Sequence, residues 1–492
     1  MLTLPTSLYR AEDVRELDRI AIEQHGIAGI SLMERAGLAA WDVLQTSWPA
    51  ANNIVVLCGG GNNAGDGYIL ARLAAEHHCS VRVLTTHQPA ALKGDARTAA
   101  DKLLAQGVSC EAFAADLLAG ADVIVDALLG TGIDRQVSGE FQQAIEAINA
   151  SGKDVLAIDI PSGLNADSGC PMGSAIRADV TITFIGLKQG LFSGEAAAYS
   201  GKILFSDLDV PPDVYHAVAS SAQRMELAQL SRLLPKRSRS SHKGHYGHVL
   251  LIGGDAGFVG AVMMASEAAA RVGAGLVSCA TQPAHAGTLP LAIPEVMSHG
   301  IQSATDLRPL LERATVIAIG PGLGQSAWSM SLLSRVLDTD LPVVADADAL
   351  NLIAQDPSYS DQWVLTPHPG EAARLLGNKT VDVQADRFAA ATACQEKYGG
   401  VIVLKGSGTI VAARDASLGV CDAGNPGMAT GGMGDILTGV IAGLLAQGLD
   451  IDDAARLGVC LHAAAADAAA RQGERGMLAT DLMPWLRKLV NP

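Results

Sequence analysis

Short runs of aliphatic and β-branched residues alternate with helical patterns along almost the whole chain. In the first half the apolar runs lie at 54–58, 81–86, 123–127, 155–160 and 180–184, and the helical patterns at 11–24, 31–45, 68–78 and 96–106. Apolar strands separated by helices are typical of a parallel sheet that is covered on both faces. This half is therefore predicted to be an α/β domain, with a Rossmann-like parallel sheet in a three-layer α/β/α arrangement.

The alternation stops in a polar, basic segment around 224–245 and then starts again. Such a segment is typical of a domain boundary, and a plain solvated charge run is the alternative interpretation. A chain of 492 residues is also too long for one hydrophobic core. We therefore predict two domains, 1–222 and 223–492. The second is again α/β and parallel, with strands at 276–280, 316–320, 343–346, 363–366 and 401–404.

The composition is that of a globular enzyme, since 49% of the residues are hydrophobic, 17% are charged and 53 are Gly. The formal net charge of −16 argues against a general nucleic-acid binder. The eight Cys form no C-x-x-C pair, no signal-peptide pattern is evident, and no apolar stretch is as long as a membrane span. We therefore expect a cytoplasmic protein without nucleic-acid or membrane partners, and we expect it to form a homo-oligomer.

The segment 425–435, with Gly at 427, 431, 432 and 434, runs directly into an apolar helical pattern. Glycines allow left-handed or tightly turned backbone that exposes N–H groups, and a helix N-terminus favours anionic phosphate oxygens. Asp435 stands at the start of that helix, where a carboxylate can act as a base beside a phosphate. This order of residues predicts a phosphate-binding site with a catalytic acid–base group.

In the first half, polar residues follow the apolar strands. The segment Gly59–Gly67 matches neither the dinucleotide fingerprint nor the P-loop, so an ordinary dehydrogenase is disfavoured. Its Asn and Asp side chains suit a hydroxylated ligand or a hard monovalent cation, whereas the alternative is a turn that only connects strand and helix. Asp126 and Asp159 each end a strand before a glycine turn. Each alone could be a helix cap or a structural hydrogen-bonding group, but two in one sheet favour a site.

The motifs Gly-Asn-Asn-Ala-Gly-Asp-Gly, Asp-Ala-Leu-Leu-Gly-Thr-Gly and Asp-Ile-Pro-Ser-Gly, in this order, resemble the YjeF N-terminal family of NAD(P)H-hydrate epimerases. The resemblance implies potassium bound by Asn62, Asp126 and Ser162, and a catalytic Asp159 beside the nicotinamide ring. Many relatives have Gly where this chain has Ala64, which is compatible if φ is negative there. The hydrated nucleotide is implied to contact Gly61, Asn62, Asn63, Ala64, Gly65, Gly130, Thr131, Gly132, Ile133, Asp134, Arg135, Gln136 and Asp159.

Further polar loops lie in the second half, at 320–324, 346–351, 366–371 and 405–409, the last of them in a hairpin-like turn. Lys405 could pair with a phosphate, although in isolation an exposed turn lysine is the commoner interpretation. His368 in isolation is more often a structural or helix-start histidine than a catalyst. The pair Asp346 and Asp348 could bind a metal, but two carboxylates without a third ligand leave this open.

Together with the 425–435 segment, these loops resemble the ribokinase-like superfamily, and within it the ADP-dependent NAD(P)H-hydrate dehydratases. The two resemblances cover nearly the whole chain, in the order of the bifunctional NAD(P)H-hydrate repair enzymes. They imply a ribokinase-like second domain that uses ADP as co-substrate, with Mg²⁺ expected. The hydrate is implied to contact Ala261, Gly322, His368 and the catalytic Asp435, and ADP to contact Lys405, Gly406, Ser407, Gly408, Thr409 and Gly434.

The predicted function is the repair of hydrated NADH and NADPH. The first domain would interconvert the two epimers, and the second would dehydrate the S epimer while ADP becomes AMP and phosphate. The alternative is an ATP-dependent ribokinase-like kinase for a small molecule, with a first domain that binds a nucleotide without catalysis. Preference for ADP over ATP rests on the resemblance alone, because both share the same phosphate chemistry.

Overall fold

The computed structural model describes residues 4–491. The chain divides into two compact units, Met1–Gln223 and Arg224–Pro492. Each unit alternates β-strands with α-helices, which confirms the predicted α/β fold class.

The first unit is built on seven parallel strands in the order β4-β3-β2-β5-β6-β7-β9. The strands are β2 (Asn53–Cys58), β3 (Ser80–Thr85), β4 (Cys110–Ala112), β5 (Val123–Ala127), β6 (Asp154–Ile158), β7 (Val180–Phe184) and β9 (Lys202–Ser206). Three short strands lie apart from them, and β1 pairs with both others: β1 (Ser7–Tyr9), β8 (Leu187–Lys188) and β10 (Ala222–Arg224).

Helices cover both faces of this sheet, as the apolar strands predict. Residues of β2 alternate between two clusters: Ile54 and Val56 pack into one, and Val55 and Leu57 into the other. The helices are α1 (Ala11–Glu23), α2 (Gly29–Ser47), α3 (Asn62–Glu76), α4 (Gly94–Ala105), α5 (Gly139–Ala150) and α6 (Pro212–His216).

The start of α3 differs from the prediction of a glycine turn followed by a helix at 68–78. The helix begins at Asn62, so most of the glycine-rich motif is helical. Small residues are needed there because the helix packs closely: a Cβ atom at Gly67 would lie 2.6 Å from Cβ of Ala127. The glycines of this motif therefore serve close packing as well as a turn.

The second unit contains a nine-strand series, β13-β12-β11-β14-β15-β16-β17-β18-β19. The first seven strands are parallel, as predicted, and β18 and β19 follow as antiparallel strands after the hairpin-like turn at 405–409. The strands are β11 (His248–Ile252), β12 (Leu276–Thr281), β13 (Met297–Gly300), β14 (Val316–Ile319), β15 (Val343–Ala345), β16 (Trp363–Leu365), β17 (Val401–Leu404), β18 (Thr409–Ala412) and β19 (Leu418–Cys421).

One apolar cluster joins this sheet to α8, α16 and α17, and α16 is buried along most of its length. No helix in residues 4–491 has both the length and the apolar character needed to cross a membrane. The helices are α7 (Leu227–Leu230), α8 (Val259–Arg271), α9 (Leu289–Ala292), α10 (Arg308–Leu311), α11 (Ala327–Leu337), α12 (Asp348–Gln355), α13 (Pro369–Leu376), α14 (Thr380–Ala385), α15 (Arg387–Tyr398), α16 (Met433–Ala446), α17 (Ile451–Ala470) and α18 (Met483–Leu489).

Candidate active sites

A cavity of about 920 Å³ opens in the first unit where β2, β5 and β6 end and α3 begins. Ligands of open α/β sheets bind at this edge, outside the carboxyl ends of the strands. The cavity brings together most of the residues predicted to contact the hydrated nucleotide: Gly61, Asn62, Asn63, Gly130, Thr131, Gly132, Ile133, Asp134, Arg135, Gln136 and Asp159.

Two of the predicted contact residues do not line this cavity. Ala64 is fully buried in α3, and Gly65 lies so close to α2 that a Cβ atom there would be 2.4 Å from Sδ of Met33. The helical backbone at Ala64 has an ordinary negative φ, so the Ala that replaces a common Gly is accommodated. Both residues support the packing of α3 rather than face the cavity.

Asp126 and Ser162 form a buried hydrogen-bonded pair at the ends of β5 and β6. The Ser162 hydroxyl donates to Asp126 Oδ1 at 2.6 Å, and the Ser162 backbone N–H donates to Oδ2 at 2.8 Å. Burial raises the pKa of Asp126 to about 6, although the hydrogen bonds from Ser162 favour its ionised form. This pair is a buried, oxygen-rich group of the kind that a hard cation selects.

An unpaired amide oxygen lies next to this pair. Asn63 donates through Nδ2 to the Leu129 carbonyl at 3.0 Å, while its buried Oδ1 has no hydrogen-bond partner. The Leu129 N–H donates to Ser162 Oγ, which links the two groups. Asn62, the predicted ligand, is exposed in the first turn of α3. The oxygens of Asp126, Ser162 and Asn63 therefore fit a monovalent cation, and Asn63 was not among its predicted ligands.

Asp159 follows β6 directly and adopts φ of +65°, a left-handed conformation that is unusual for a residue other than Gly. Its carboxylate forms an ion pair with Lys188, whose side chain is 1% exposed. Lys188 also donates to Thr183 Oγ1 at 3.0 Å and to the Phe184 carbonyl at 3.1 Å. Lys188 is not recognisable from the sequence, because a single lysine in an apolar stretch gives no motif.

Two more carboxyl groups line the same cavity and were not predicted. Asp18 comes from α1 and Asp66 from α3. Burial raises the pKa of Asp18 to about 6, and burial followed by the charges of Asp159 and Asp18 raises that of Asp66 well above its ordinary value. Asp66 belongs to the Gly-Asn-Asn-Ala-Gly-Asp-Gly motif, so its presence at the site could have been inferred.

In the second unit, the glycine-rich segment leads into the N-terminus of α16. Of its four glycines only Gly432, the residue before the helix, has a positive φ, of +94°. The other three, Gly427, Gly431 and Gly434, do not adopt the left-handed conformation. Gly432 is also packed against α8, where an added Cβ would lie 2.6 Å from Cε of Met264. The segment brings the first N–H groups of α16 to the site with a single left-handed residue.

Asp435 lies in the first turn of α16, as predicted. Burial and the nearby charge of Asp346 raise its pKa to about 7, although Lys405 acts in the opposite direction. A carboxyl group that titrates near neutral pH is suited to accept a proton during turnover.

Lys405 and Asp346 form a buried ion pair directly beneath the start of α16. Lys405 Nζ lies 2.6 Å from Asp346 Oδ1, and the Thr438 hydroxyl donates to Oδ2 at 2.8 Å. A Cβ atom at Gly434 would lie 3.3 Å from Lys405 Nζ and 3.6 Å from Asp346 Oδ2. Lys405 is thus not an exposed turn lysine, and Gly434 leaves space above the pair.

Glu371 and His368 extend this network. Glu371 Oε2 lies 3.8 Å from Lys405 Nζ, and Glu371 Oε1 lies 3.4 Å from Nε2 of His368. Burial, together with Lys405 and Arg374, lowers the pKa of His368. His368 is also the N-cap of α13 through Nδ1, so it is a helix-start histidine that is near the site as well.

The turn between β17 and β18, with the first residue of β18, contains five of the six residues predicted to contact ADP, and the sixth, Gly434, lies in α16. The buried Arg387 donates to the carbonyls of Leu404 at 3.2 Å and of Lys405 and Gly408 at 3.3 Å, which fixes the turn from below. Gly406 packs against this guanidinium, since a Cβ atom there would lie 2.8 Å from Arg387 Nη1. Arg387 supports the turn and was not identified from the sequence.

Ala261 and Gly322 meet at the ends of α8 and β14. A Cβ atom at Gly322 would lie 3.3 Å from Cβ of Ala261, and Gly322 has φ of +59°. Ala261 is one turn of α8 away from Met264, the residue against which Gly432 packs. The two predicted hydrate contacts are therefore close to each other and linked to the segment before Asp435.

Asp346 and Asp348, the two carboxylates that could bind a metal, each have hydrogen-bond partners within the protein. Asp346 is paired with Lys405 and Thr438, whereas Asp348 accepts the N–H of Gly324 at 2.8 Å. Among residues 4–491, no group of three or more His, Cys, Asp and Glu side chains is placed to hold a metal ion. The two carboxylates therefore have separate structural partners.

Comparison with known proteins agrees with both halves of the chain. A family model described as YjeF-related protein N-terminus matches residues 29–190, and one described as NAD(P)H-hydrate dehydratase matches residues 249–488. The bifunctional NAD(P)H-hydrate repair enzyme of Coxiella burnetii is 52% identical over 488 residues, which cover 99% of this chain and 100% of that protein. This chain belongs to the bifunctional NAD(P)H-hydrate repair enzymes. The Escherichia coli repair enzyme is 44% identical over 493 residues, which cover 100% of this chain and 95% of that enzyme.

Membership of the repair-enzyme family confirms the family predicted from the motifs, and the alternative of a small-molecule kinase is not favoured. A ribokinase-like superfamily protein from Enterococcus faecalis aligns with a TM-score of 0.51 and 32% identity, over 54% of this chain and 94% of that protein. This confirms the predicted ribokinase-like fold for the second half of the repair enzyme.

Proposed function

We propose that the first unit interconverts the two epimers of hydrated NADH and NADPH, and that the second unit dehydrates the S epimer with conversion of ADP to AMP and phosphate. The family supports the pair of activities, and the two sites support their separation. The observation that carries the second activity is Asp435, a carboxyl with a pKa of about 7 at a helix N-terminus beside Lys405 and Gly434.

The difficulty in dehydration is that hydroxide is a poor leaving group. In the proposed reaction the C6 hydroxyl oxygen attacks the β-phosphorus of ADP, Asp435 takes the hydroxyl proton, and AMP leaves. The C6–O bond of the phosphate ester then breaks with its electron pair on phosphate, and loss of a proton from C5 restores the dihydronicotinamide ring. The N–H groups at the start of α16 stabilise the charge on the transferred group, and catalysis is mostly positioning.

For ADP, we propose contacts with Lys405, Gly406, Ser407, Gly408, Thr409 and Gly434. The turn that holds five of them is fixed by Arg387, and Gly434 leaves room beside Lys405. We further propose Ala261, Gly322 and His368 for the hydrate. Mg²⁺ is commonly held by nucleotide phosphates with one or two carboxylates, so the absence of a carboxylate cage within residues 4–491 fits an ion brought with ADP.

A direct test is to incubate the purified S epimer with the protein and ADP. We expect AMP, phosphate and the reduced dinucleotide to form in equal amounts, measured by chromatography and by the absorbance of the reduced ring. Formation of a stable phosphorylated product with no restored absorbance would contradict the proposal.

The rate of dehydration should depend on pH through Asp435. The base must be ionised, and its pKa is raised to about 7, so we expect kcat to rise about tenfold per pH unit below that value and to level off above it. The measurement is kcat between pH 5.5 and 9 with saturating ADP. A rate that falls with rising pH across this range would exclude Asp435 as the base.

For the first unit, we propose that the cavity holds the hydrated nucleotide, with Asp159 beside the nicotinamide ring. The contacts proposed are Gly61, Asn62, Asn63, Ala64, Gly65 and 130–136. Ala64 and Gly65 would contact the nucleotide through backbone groups, because the Ala64 side chain is buried and the space beside Gly65 is filled by Met33. We also propose potassium on Asn62, Asp126 and Ser162, with Asn63 Oδ1 as a further ligand. When bound, this cation would neutralise Asp126 and order the helix start that contacts the nucleotide.

Potassium should stabilise the first unit. A cation that binds only the folded state at 100 times its Kd adds about 2.7 kcal/mol, so we expect the thermal midpoint of this unit to rise with KCl relative to tetramethylammonium chloride at equal ionic strength. The rise should be absent in Asp126→Asn and retained in Asp116→Asn, an exposed carboxylate. Equal midpoints of the wild-type protein in the two salts would contradict the potassium site.

A further inference from the structure

Four charged side chains from four elements of the first unit meet at one cavity. Asp18 comes from α1, Asp66 from α3, Asp159 from the end of β6 and Lys188 from β8. Three carboxyl groups therefore share the surroundings of one ammonium group. Because a second uncompensated carboxylate in a half-buried site is costly, at least one of the three is expected to keep its proton near neutral pH.

The Lys188 ammonium group is ion-paired with Asp159. Its three ammonium protons have three acceptors, namely the Asp159 carboxylate, Thr183 Oγ1 and the Phe184 carbonyl. None of them is left for Asp18 or Asp66. Asp159 is therefore the member of the cluster whose charge Lys188 balances, and Lys188 is the residue that positions it.

The other two carboxyl groups have no such partner. Within residues 4–491 neither the Asp18 nor the Asp66 side chain makes a hydrogen bond, although both line the cavity. Burial raises the pKa of Asp66 well above its ordinary value, and the charges of Asp159 and Asp18 raise it further, against Lys188. The pKa of Asp18 is raised to about 6, again chiefly by burial. Asp66 is thus the group that keeps a proton to higher pH.

We propose that Asp66 is the general acid of the first unit, aimed into the cavity beside the ion pair of Asp159 and Lys188. This inference depends on the proposed epimerase function and adds to it the residue that supplies the proton. Asp66 lies one turn along α3 from Asn62 and Asn63, which line the same cavity. A nucleotide held at that helix start would therefore be within reach of the Asp66 carboxyl.

The step is acid-assisted loss and return of water. Asp66 donates its proton to the C6 hydroxyl oxygen, the C6–O bond breaks with its electron pair on oxygen, and water forms. The lone pair of ring N1 makes the N1=C6 iminium ion, whose positive charge the Asp159 carboxylate stabilises. Water then adds to the opposite face of C6 and returns a proton to Asp66, so atoms and charge balance over the cycle.

The pH dependence of epimerisation follows from the charges that face Asp66. The acid must be protonated, so the enzymatic rate should fall as pH rises through the pKa of Asp66. The charges that act on Asp66 are those of Asp159 and Asp18, which favour its protonated form, and of Lys188, which opposes it. The other charged or titratable groups that line the cavity are Arg15, His87, Asp95, Asp134 and Arg135. Removal of the Asp18 charge should let Asp66 ionise more easily and shift the fall to lower pH.

The experiment follows conversion of one purified epimer into the other by chromatography, without ADP, between pH 5.5 and 9.5 and with the uncatalysed rate subtracted. We expect Asp66→Asn to lower the enzymatic rate at pH 7 by about 100-fold, the usual contribution of a general acid. Asp18→Asn should retain activity, but its rate of epimerisation should begin to fall at a lower pH than that of the wild type. The exposed Asp42→Asn on α2 is the matched control and should behave as the wild type.

The outcomes separate this inference from the function on which it depends. If the wild-type protein does not accelerate epimerisation at any pH, the proposed function of the first unit fails. If the wild type does so and folded Asp66→Asn stays within threefold of it with the same profile, the general-acid role is excluded. An alkaline fall that does not move in Asp18→Asn would also contradict it, because the coupling of the two carboxyl groups would be absent. Circular dichroism of each variant reports folding.

Discussion

Replacement of Asp435 by Asn is expected to lower the rate of dehydration at pH 8 by about two to four powers of ten, while epimerisation stays at the wild-type rate. The side-chain amide has nearly the same shape but cannot accept the hydroxyl proton, and a positioned base contributes about this factor. The substitution should not destabilise the fold. The pKa of Asp435 is raised to about 7, so its ionisation opposes folding increasingly as pH rises from the unfolded value of about 4 through 7. Both rates are measured on the same preparation.

The control for this variant is Asp338→Asn, which removes an exposed carboxylate at the end of α11 in the same unit. It should leave both rates unchanged. Equal losses of dehydration and epimerisation in Asp435→Asn would contradict two separate sites. Unchanged dehydration would remove Asp435 from the mechanism.

The largest effect on stability is expected for Lys405→Met. Asp346 is 1% exposed and would be left as a buried charge without its cationic partner, and loss of one member of a buried ion pair typically costs about 3–5 kcal/mol. We expect the free energy of unfolding of the second unit to fall by about this amount at pH 7. The measurement is a urea titration followed by pulsed hydrogen exchange in peptides from β15 and β17.

The double variant Asp346→Asn with Lys405→Met tests the cause. Because it removes both charges, it should recover at least about half of the lost stability, as expected when the cost is an uncompensated charge. Lys379→Met, at an exposed lysine of the same unit, should change the free energy of unfolding by less than about 0.5 kcal/mol. A loss in the double variant as large as the sum of the two single losses would show that the pair is not coupled.

Much of the architecture could be predicted from local patterns. Apolar strands such as 54–58 and 123–127 are buried on both faces, and such runs are distinctive in sequence. The beginning of α3 could not be predicted, because its glycines suggest a turn while packing against α2 and β5 makes them helical. The strands β18 and β19 were not identified, although the hairpin-like turn at 405–409 that leads into them was, because each strand has only four residues.

In the sites, residues that belong to a motif could likewise be predicted, whereas single residues with distant partners could not. Asp435 and the 130–136 segment are recognisable because a motif surrounds them. Lys188 and Arg387 are not, because each is a single buried cation whose partners are distant in sequence: Asp159 for the first, and the carbonyls of the 404–408 turn for the second. The environment that raises the pKa of Asp435 and of Asp66 arises from burial and from charges on other elements, which only the fold brings together.

The most direct test of two units acting in succession starts from the purified R epimer and ADP. The wild-type protein should convert all of it to the reduced dinucleotide faster than the uncatalysed epimerisation allows, with one AMP formed per molecule repaired. Asp435→Asn should stop after the first step, with an equilibrium mixture of the two epimers and no restored absorbance. Conversion of the R epimer by wild-type protein only at the uncatalysed rate of epimerisation would contradict the account.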